Sequence, residues 1–357
     1  MKPFRNPYFS GPPSDHFDGH RFFNPGGEMP ANLGSILRWQ FSGGREKWAP
    51  RVDHSVPRDK PPAAVSGDAL RVLAIGHASF LYQTGGLNIL VDPIFSERCP
   101  SRLGPQRHNE PGVAFDDLPD IHVVCVTHSH YDHMDRETLE RLQDRFAPRF
   151  VVPLGCDVLL QSWRKDASVS AHDWFDRVSL NDHVAVTLDP THHWSARGVL
   201  DRRMTLWASF VFETPAGLVY HIGDTGFFGG RNYRAARERY GPPKLAVIPI
   251  GAYAPRSVMR PQHQDPDEAV RGALFLGAEF SLGSHWGTFQ LTDEEVGDPP
   301  KRLQAALGRW NLSFERFRAA PPGFVTELPM RIDAPMPPEL HETPETVAPT
   351  VHEPAPS

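Results

Sequence analysis

Four side chains able to hold a metal fall within six residues: His128, His130, Asp132 and His133, spaced H-x-H-x-D-H after Thr127. Imidazole mixed with carboxylate suits a borderline cation such as zinc, whereas an all-oxygen set would suit magnesium or calcium. Packing alone has little use for four polar groups at the end of an apolar run. One loop cannot close two metal sites, so further ligands must come from elsewhere. Side chains of the right kind stand at His193 in Thr191-His192-His193-Trp194, at Asp224 in Gly223-Asp224-Thr225-Gly226, and at His285 in Ser284-His285-Trp286-Gly287. Alone, each has an ordinary reading, as a core histidine or a Gly-Asp-x-Gly turn; ligand counting joins them to the motif. No Ser-His-Asp or Cys-His nucleophile is required. Cys125 sits inside an apolar run and reads as core.

These groups need strand ends to stand on. Short β-forming runs cover Arg71–Ile75, Ser79–Gln83 and Leu87–Val91, with Gly85-Gly86 as a hairpin turn. Ile121–Thr127 reads as a buried strand leading into the motif, and Asp135 can cap a helix bearing Leu139, Leu142 and Phe146 on one face. Leu206–Glu213 and Leu218–Ile222 form a second hairpin pattern, and Leu245–Ile250 a further strand. Asp265-Pro266-Asp267-Glu268 combines a capping residue, Pro at the first helical position and Glu at the third, and Thr292–Glu295 repeats the capping-box spacing. Hairpins among alternating strands and helices predict a layered α/β domain, not a purely parallel sheet.

The chain divides into three parts. Residues 1–67 carry Phe17, Phe22, Phe23, Ile36, Leu37, Trp39, Phe41 and Trp48, too apolar a load for a free tail, and are expected as an arm packed on the core. Residues 68–333 are expected to form the main domain, which carries the candidate ligands. The proline-rich, acidic stretch 334–357 has almost nothing to bury and is expected to be a disordered tail. With 43 acidic against 37 basic residues and a net charge of −6, nothing drives attraction to phosphate backbones, so nucleic acid is not an expected partner. Three cysteines without CxxC spacing exclude a disulfide framework or an all-cysteine zinc knot. No apolar run is long enough to span a bilayer and no signal-peptide core is evident, so a cytoplasmic location is expected.

The chain resembles the metallo-β-lactamase superfamily, and within it the N-acyl-phosphatidylethanolamine-hydrolysing phospholipase D group, from about Phe17 to Phe317. The residues that carry the likeness are GHASFLYQTGGLNILVDPIFSERC (76–99), THSHYDHMD (127–135), Pro190–Trp194, HIGDTGFF (221–228), LAVIPIGAYAPR (245–256), Gln262–Val270 and HWGTFQLTDEE (285–295). The resemblance implies an αββα sandwich, two mixed sheets flanked by helices, with two zinc ions at one edge. It implies His128, His130 and His193 on one zinc, Asp132, His133 and His285 on the other, and Asp224 between them. The Pro-x-x-His-Trp pattern selects His193 over His192. Asp132, Asp224 and His263 are the expected groups at the reacting centre, with Tyr131, Gln262 and His263 as substrate contacts. Arg197, Arg202, Arg203 and Arg256 are available to anchor a phosphate or to stay solvated. Two zinc ions sharing a bridging water lower its pKa and present hydroxide to phosphorus or a carbonyl carbon. The activity so implied is a phosphodiesterase of the phospholipase D type acting on N-acyl-phosphatidylethanolamine-like lipids. A lactonase or cyclic phosphodiesterase is the competing enzyme, and a non-catalytic metal-binding protein the competing class. A lipid or small phosphodiester is the expected substrate, and the reading accommodates peripheral membrane contact and a homodimer.

Overall fold

The computed structural model describes residues 5–329 except 32, 42, 54–55 and 100–103, so the segment 334–357 lies outside the described residues. One sheet contains β1 (Leu70–Gly76), β2 (Ser79–Thr84), β3 (Leu87–Val91), β4 (Val123–Cys125), β5 (Arg149–Pro153), β6 (Ser168–His172) and the last strand, β14 (Val325–Leu328), in the order β14-β1-β2-β3-β4-β5-β6. The other contains β7 (Arg177–Ser179), β8 (Ala185–Asp189), β9 (Ser209–Thr214), β10 (Gly217–His221), β11 (Leu245–Pro249), β12 (Phe280–Ser284) and β13 (Phe317–Ala319), in reverse order. Both sheets are mixed: β1, β2 and β3 pair antiparallel while β3, β4, β5 and β6 pair parallel, and β10 to β13 are likewise parallel.

Period-two alternation sorts the side chains into layers. Val72 and Ala74 of β1 face a central core shared with Leu245 and Val247 of β11. Their neighbours Leu73 and Ile75 face outward, under helices α2 (Arg136–Phe146) and α3 (Cys156–Trp163). Ala246 and Ile248 face the other way, under α4 (Arg231–Tyr240), α6 (Pro266–Leu276) and α7 (Asp298–Arg309). The result is the expected αββα sandwich. Strands buried on both faces read as unbroken apolar runs for this reason. Two short helices, α1 (Leu33–Gln40) and α5 (Arg256–Met259), lie outside the layers. From the first 67 residues, Phe17 and Phe22 enter the central core beside Trp174 and Trp207, and Trp39 donates its indole N–H to Asp293 at 2.7 Å. No helix among the described residues is long and apolar enough to cross a membrane.

Most local signals hold. Gly85 and Gly86 turn with φ of 54° and 78°, as a two-residue hairpin requires. Asp265 and Glu268 form the full capping box of α6. Two expectations need correction. The helix start at Thr292 is absent: Glu294 instead accepts from Thr292 Oγ1 and from the backbone N–H of Ala252 and Ala254, and α7 begins at Asp298-Pro299. The Thr292 hydroxyl is spent on the Glu294 carboxylate, and the segment braces the loop at Ala252 and Ala254 instead of opening a helix. The strand predicted over Ile121–Thr127 is confined to Val123–Cys125, because Thr127 N–H leaves the ladder for the Asp92 carboxylate.

Candidate metal centre

That departure from the sheet is what aims the motif. Asp92, fully buried just beyond β3, accepts from Thr127 N–H at 2.7 Å, Thr127 Oγ1 at 2.6 Å and His133 Nδ1 at 2.6 Å. The loop is thereby folded over one carboxylate, and Asp135 closes it by capping α2. The other sheet brings three single residues to the same edge, each just beyond a strand: His193 after β8, Asp224 after β10 and His285 after β12. Gly223 takes φ 69°, and a Cβ there would meet Thr127 Cγ2 at 2.8 Å, so only glycine lets this turn approach the motif. His193 Nδ1 bonds the Gln262 carbonyl at 2.9 Å, leaving Nε2 to face the cluster.

All seven expected ligands converge, in two groups that meet at Asp224. His128, His130, His193 and Asp224 form one pole, and Asp132, His133 and His285, with Asp224 between, form the other. Asp224 Oδ2 lies 3.2 Å from His133 Nε2 and 3.5 Å from His193 Nε2, while Oδ1 lies 3.3 Å from His285 Nε2. Asp132 Oδ2 is 3.3 Å from His285 Nε2 and 3.5 Å from His133 Nε2. Tetrahedral bonds of roughly 2.0 to 2.1 Å have ligand-to-ligand edges of about 3.3 Å, so these spacings fit donors arranged around ions. His133 Nε2, His285 Nε2 and Asp224 Oδ1 are buried without a hydrogen-bond partner, a costly state for polar atoms that a cation would relieve. The donor set therefore fits two metal ions.

Electrostatics separates the poles. Burial drives the rings of the first toward neutrality: His128 falls well below its usual range, His130 to about 3 and His193 to about 4, with neighbouring histidines adding to the effect on His128 and His130. At the second pole burial acts the same way but is outweighed. Asp224, Asp132 and Asp92 hold His133 well above its usual value, and Asp224 with Asp132 raise His285 to about 9. Burial opposes the charge of Asp132 and Asp224 too, yet His133 and His285 keep both well below the ordinary carboxylate range.

His263 joins the cluster, with Nδ1 4.0 Å from Asp224 Oδ2 and its ring between those of His193 and His285. Gln262 contributes its backbone carbonyl, whereas its side chain turns to Met259. Tyr131 points to the outer side of the loop: its hydroxyl donates to the Arg197 carbonyl, its ring lies 3.9 Å beneath the Arg197 guanidinium, and it lines a cavity of about 770 Å³ with Trp163 and Arg136. The arginines have structural work. Arg197 holds the Met134 carbonyl, Arg202 that of Ala31, Arg203 that of Phe22, and Arg256 that of His263.

Two residues escaped the sequence reading. Asp92 is one. The other is His77, whose Nε2 bonds Asp132 Oδ2 at 2.8 Å beside His133 and His285. His77 and His285 both adopt left-handed backbone, φ 57° and 61°, and His285 N–H donates to the His77 carbonyl at 2.9 Å. Their signal was present: a His and an Asp each standing directly after a buried strand, in the 76–99 segment.

Comparison with known proteins agrees with this geometry. The model of the β-lactamase superfamily domain matches residues 87–286. A protein of Mycobacterium tuberculosis is 36% identical over 274 residues, 72% of each chain. The N-acyl-phosphatidylethanolamine-hydrolyzing phospholipase D 1 of Caenorhabditis elegans is 32% identical over 248 residues, 65% of this chain and 68% of that one. The structure of a metallo hydrolase from the archaeon Ignicoccus hospitalis superposes with a TM-score of 0.54 at 18% identity, over 74% of this chain and all of that one. The chain belongs to the β-lactamase superfamily, among its metallo-hydrolases.

Proposed function

We propose that this chain is a binuclear zinc phosphodiesterase of the phospholipase D type, with N-acyl-phosphatidylethanolamine-like lipids as substrate. The observation that carries the reading is the meeting of two buried ligand groups at Asp224. His128, His130 and His193 would hold one ion, Asp132, His133 and His285 the other, with Asp224 shared. When bound, such a pair supplies Lewis acidity toward a phosphoryl oxygen and makes water a nucleophile near neutral pH. The chain's own part is positioning. Asp92 and the Gln262 carbonyl fix the ring orientations of His133 and His193, and His77 fixes Asp132. Arg256 holds the His263 carbonyl at 2.7 Å, and burial keeps that ring neutral, so it carries one ring N–H that serves the leaving-group oxygen.

The phosphodiester class rests on the likeness to the nematode phospholipase D. Val199 and Leu200, 64% and 76% exposed, follow closely along the chain from Arg197 in the wall of the cavity beside Tyr131, and support contact with a membrane surface at the cytoplasmic face. Mass spectrometry of the zinc-loaded protein with N-acyl-phosphatidylethanolamine in detergent should show phosphatidic acid and the N-acylethanolamine together. Turnover of a soluble cyclic phosphodiester or lactone, without phosphatidic acid, would replace the lipid reading with a small-molecule one. Elemental analysis should give about two zinc per chain.

A further inference from the structure

Behind the metal centre lies a second, smaller cavity of about 380 Å³ that the proposed reaction does not use. Its wall toward the centre is made by His192 and Pro261; of the residues next along the chain, His193 and His263 belong to the ligand cluster and Gln262 braces it. His192 has no capacity left for a ligand. Its Nδ1 bonds the Pro261 carbonyl at 2.8 Å, its Nε2 accepts from Glu28 N–H at 3.0 Å, and its ring stacks on Phe228. The charge in this cavity comes instead from Arg231, Arg234 and Arg260, against Glu28 and Glu268.

Those charges are not equally committed. Glu268 accepts from Arg256 at 2.7 Å and from Asp265 N–H at 3.0 Å, so it is neutralised from behind. Arg234 is tied to the Gly229 carbonyl and lies over Phe275. Arg231 rests 5.0 Å above Phe228, and neither it nor Arg260 forms an ion pair among the described residues. Two exposed guanidinium groups, a third beside them and an aromatic floor of Phe227 and Phe228 make a concave site with unspent donors. Guanidinium forks match phosphate oxygens pairwise.

We propose that this cavity is a phosphate-binding site, taking a free phosphate monoester or the phosphate of a lipid head group through Arg231 and Arg260. The site does not depend on the substrate assigned above. One layer of chain separates it from the ligand cluster, so its occupant is a second anion and not the group undergoing cleavage.

The test is isothermal titration of the metal-loaded full chain with inorganic phosphate, comparing the parent, Arg231→Ala/Arg260→Ala and Glu28→Gln, with metal content measured in each. Phosphate taken up by the metal centre is common to all three and cancels in the comparison. The double variant should weaken the remaining binding at least about tenfold at unchanged metal content, and Glu28→Gln, by removing the rim carboxylate, should tighten it. Sedimentation with phosphatidic acid vesicles, against phosphatidylcholine vesicles, separates the sources: arginine-dependent pelleting with the former adds the lipid head group as ligand. Arginine-dependent binding in either arm supports the site. Titrations and pelleting that are the same in parent and variants overturn it.

Discussion

The two poles of the ligand cluster are built from similar residues and backed by different ones. At the first, His193 leans on a backbone carbonyl and His128 Nδ1 meets the Thr127 hydroxyl at 2.9 Å, so every support is neutral. At the second, His133 leans on the Asp92 carboxylate, and Asp132 is gripped by His77. A carboxylate behind an imidazole makes the ring a more basic ligand and holds its orientation more firmly. The ligand carboxylates Asp224 and Asp132, with Asp92 adding to the effect on His133, also favour the protonated ring at His133 and His285 when no metal is present. The first pole is preset for a cation, while the second must exchange protons for one.

The sharpest way to break this picture is at the shared residue. Asp224→Ala should empty both poles and reduce activity by on the order of 10³-fold or more, whereas His285→Ala should empty only the second. Metal analysis distinguishes the two outcomes, and equal loss in both variants would mean that the poles do not exist as separate sites.

Next in size is the support itself. Asp92→Asn keeps an oxygen for Thr127 N–H but removes the charge facing His133. Affinity at the second pole should fall about 10- to 100-fold with the first unchanged. Competition with a chromophoric chelator reads both affinities, and His77→Gln should act at the same pole. Loss at the first pole instead would show that the loop, and not the charge, was the affected element.

Acid should tell the poles apart as well. A group with a raised pKa must give up its proton to bind metal, so affinity falls as pH drops below that pKa. With His285 at about 9 and His133 raised beside it, the second pole should lose about tenfold per pH unit for each proton displaced as pH falls from 9 toward 6. His130 at about 3 and His193 at about 4 give the first pole no such slope above pH 5. One metal retained and one released at pH 5.5 is the expected result; simultaneous release would contradict it.

How much of this was legible in the sequence follows from how the two sheets supply their ligands. The first sheet offers four in one contiguous motif, which chemistry alone picks out. The second offers His193, Asp224 and His285 singly, across nearly a hundred residues, and only ligand counting and family likeness joined them. Strands announced themselves because their apolar runs are buried on both faces. The failures share a cause: Thr127 and the Thr292–Glu295 turn each had a local reading, and hydrogen bonds to other partners overrode it. Asp92 and His77 carry no spacing pattern, and only their places directly after buried strands mark them along the chain.

The smallest predicted effect concerns two adjacent histidines with opposite fates. His192 and His193 are both buried, and both bond Nδ1 to a carbonyl of the same segment, Pro261 and Gln262. They differ in what meets Nε2: the ligand cluster for His193, the Glu28 backbone N–H for His192. His192→Ala should therefore leave two metals and near-normal turnover, while losing two hydrogen bonds and a stacking contact with Phe228. A net loss of about 1 to 3 kcal/mol of stability is expected, seen as a modest drop in melting temperature. His193→Ala should do the reverse, releasing one metal. Because the side chains are identical and adjacent, any metal lost from the His192 variant would locate the ligand one residue earlier and dismantle the first pole as described.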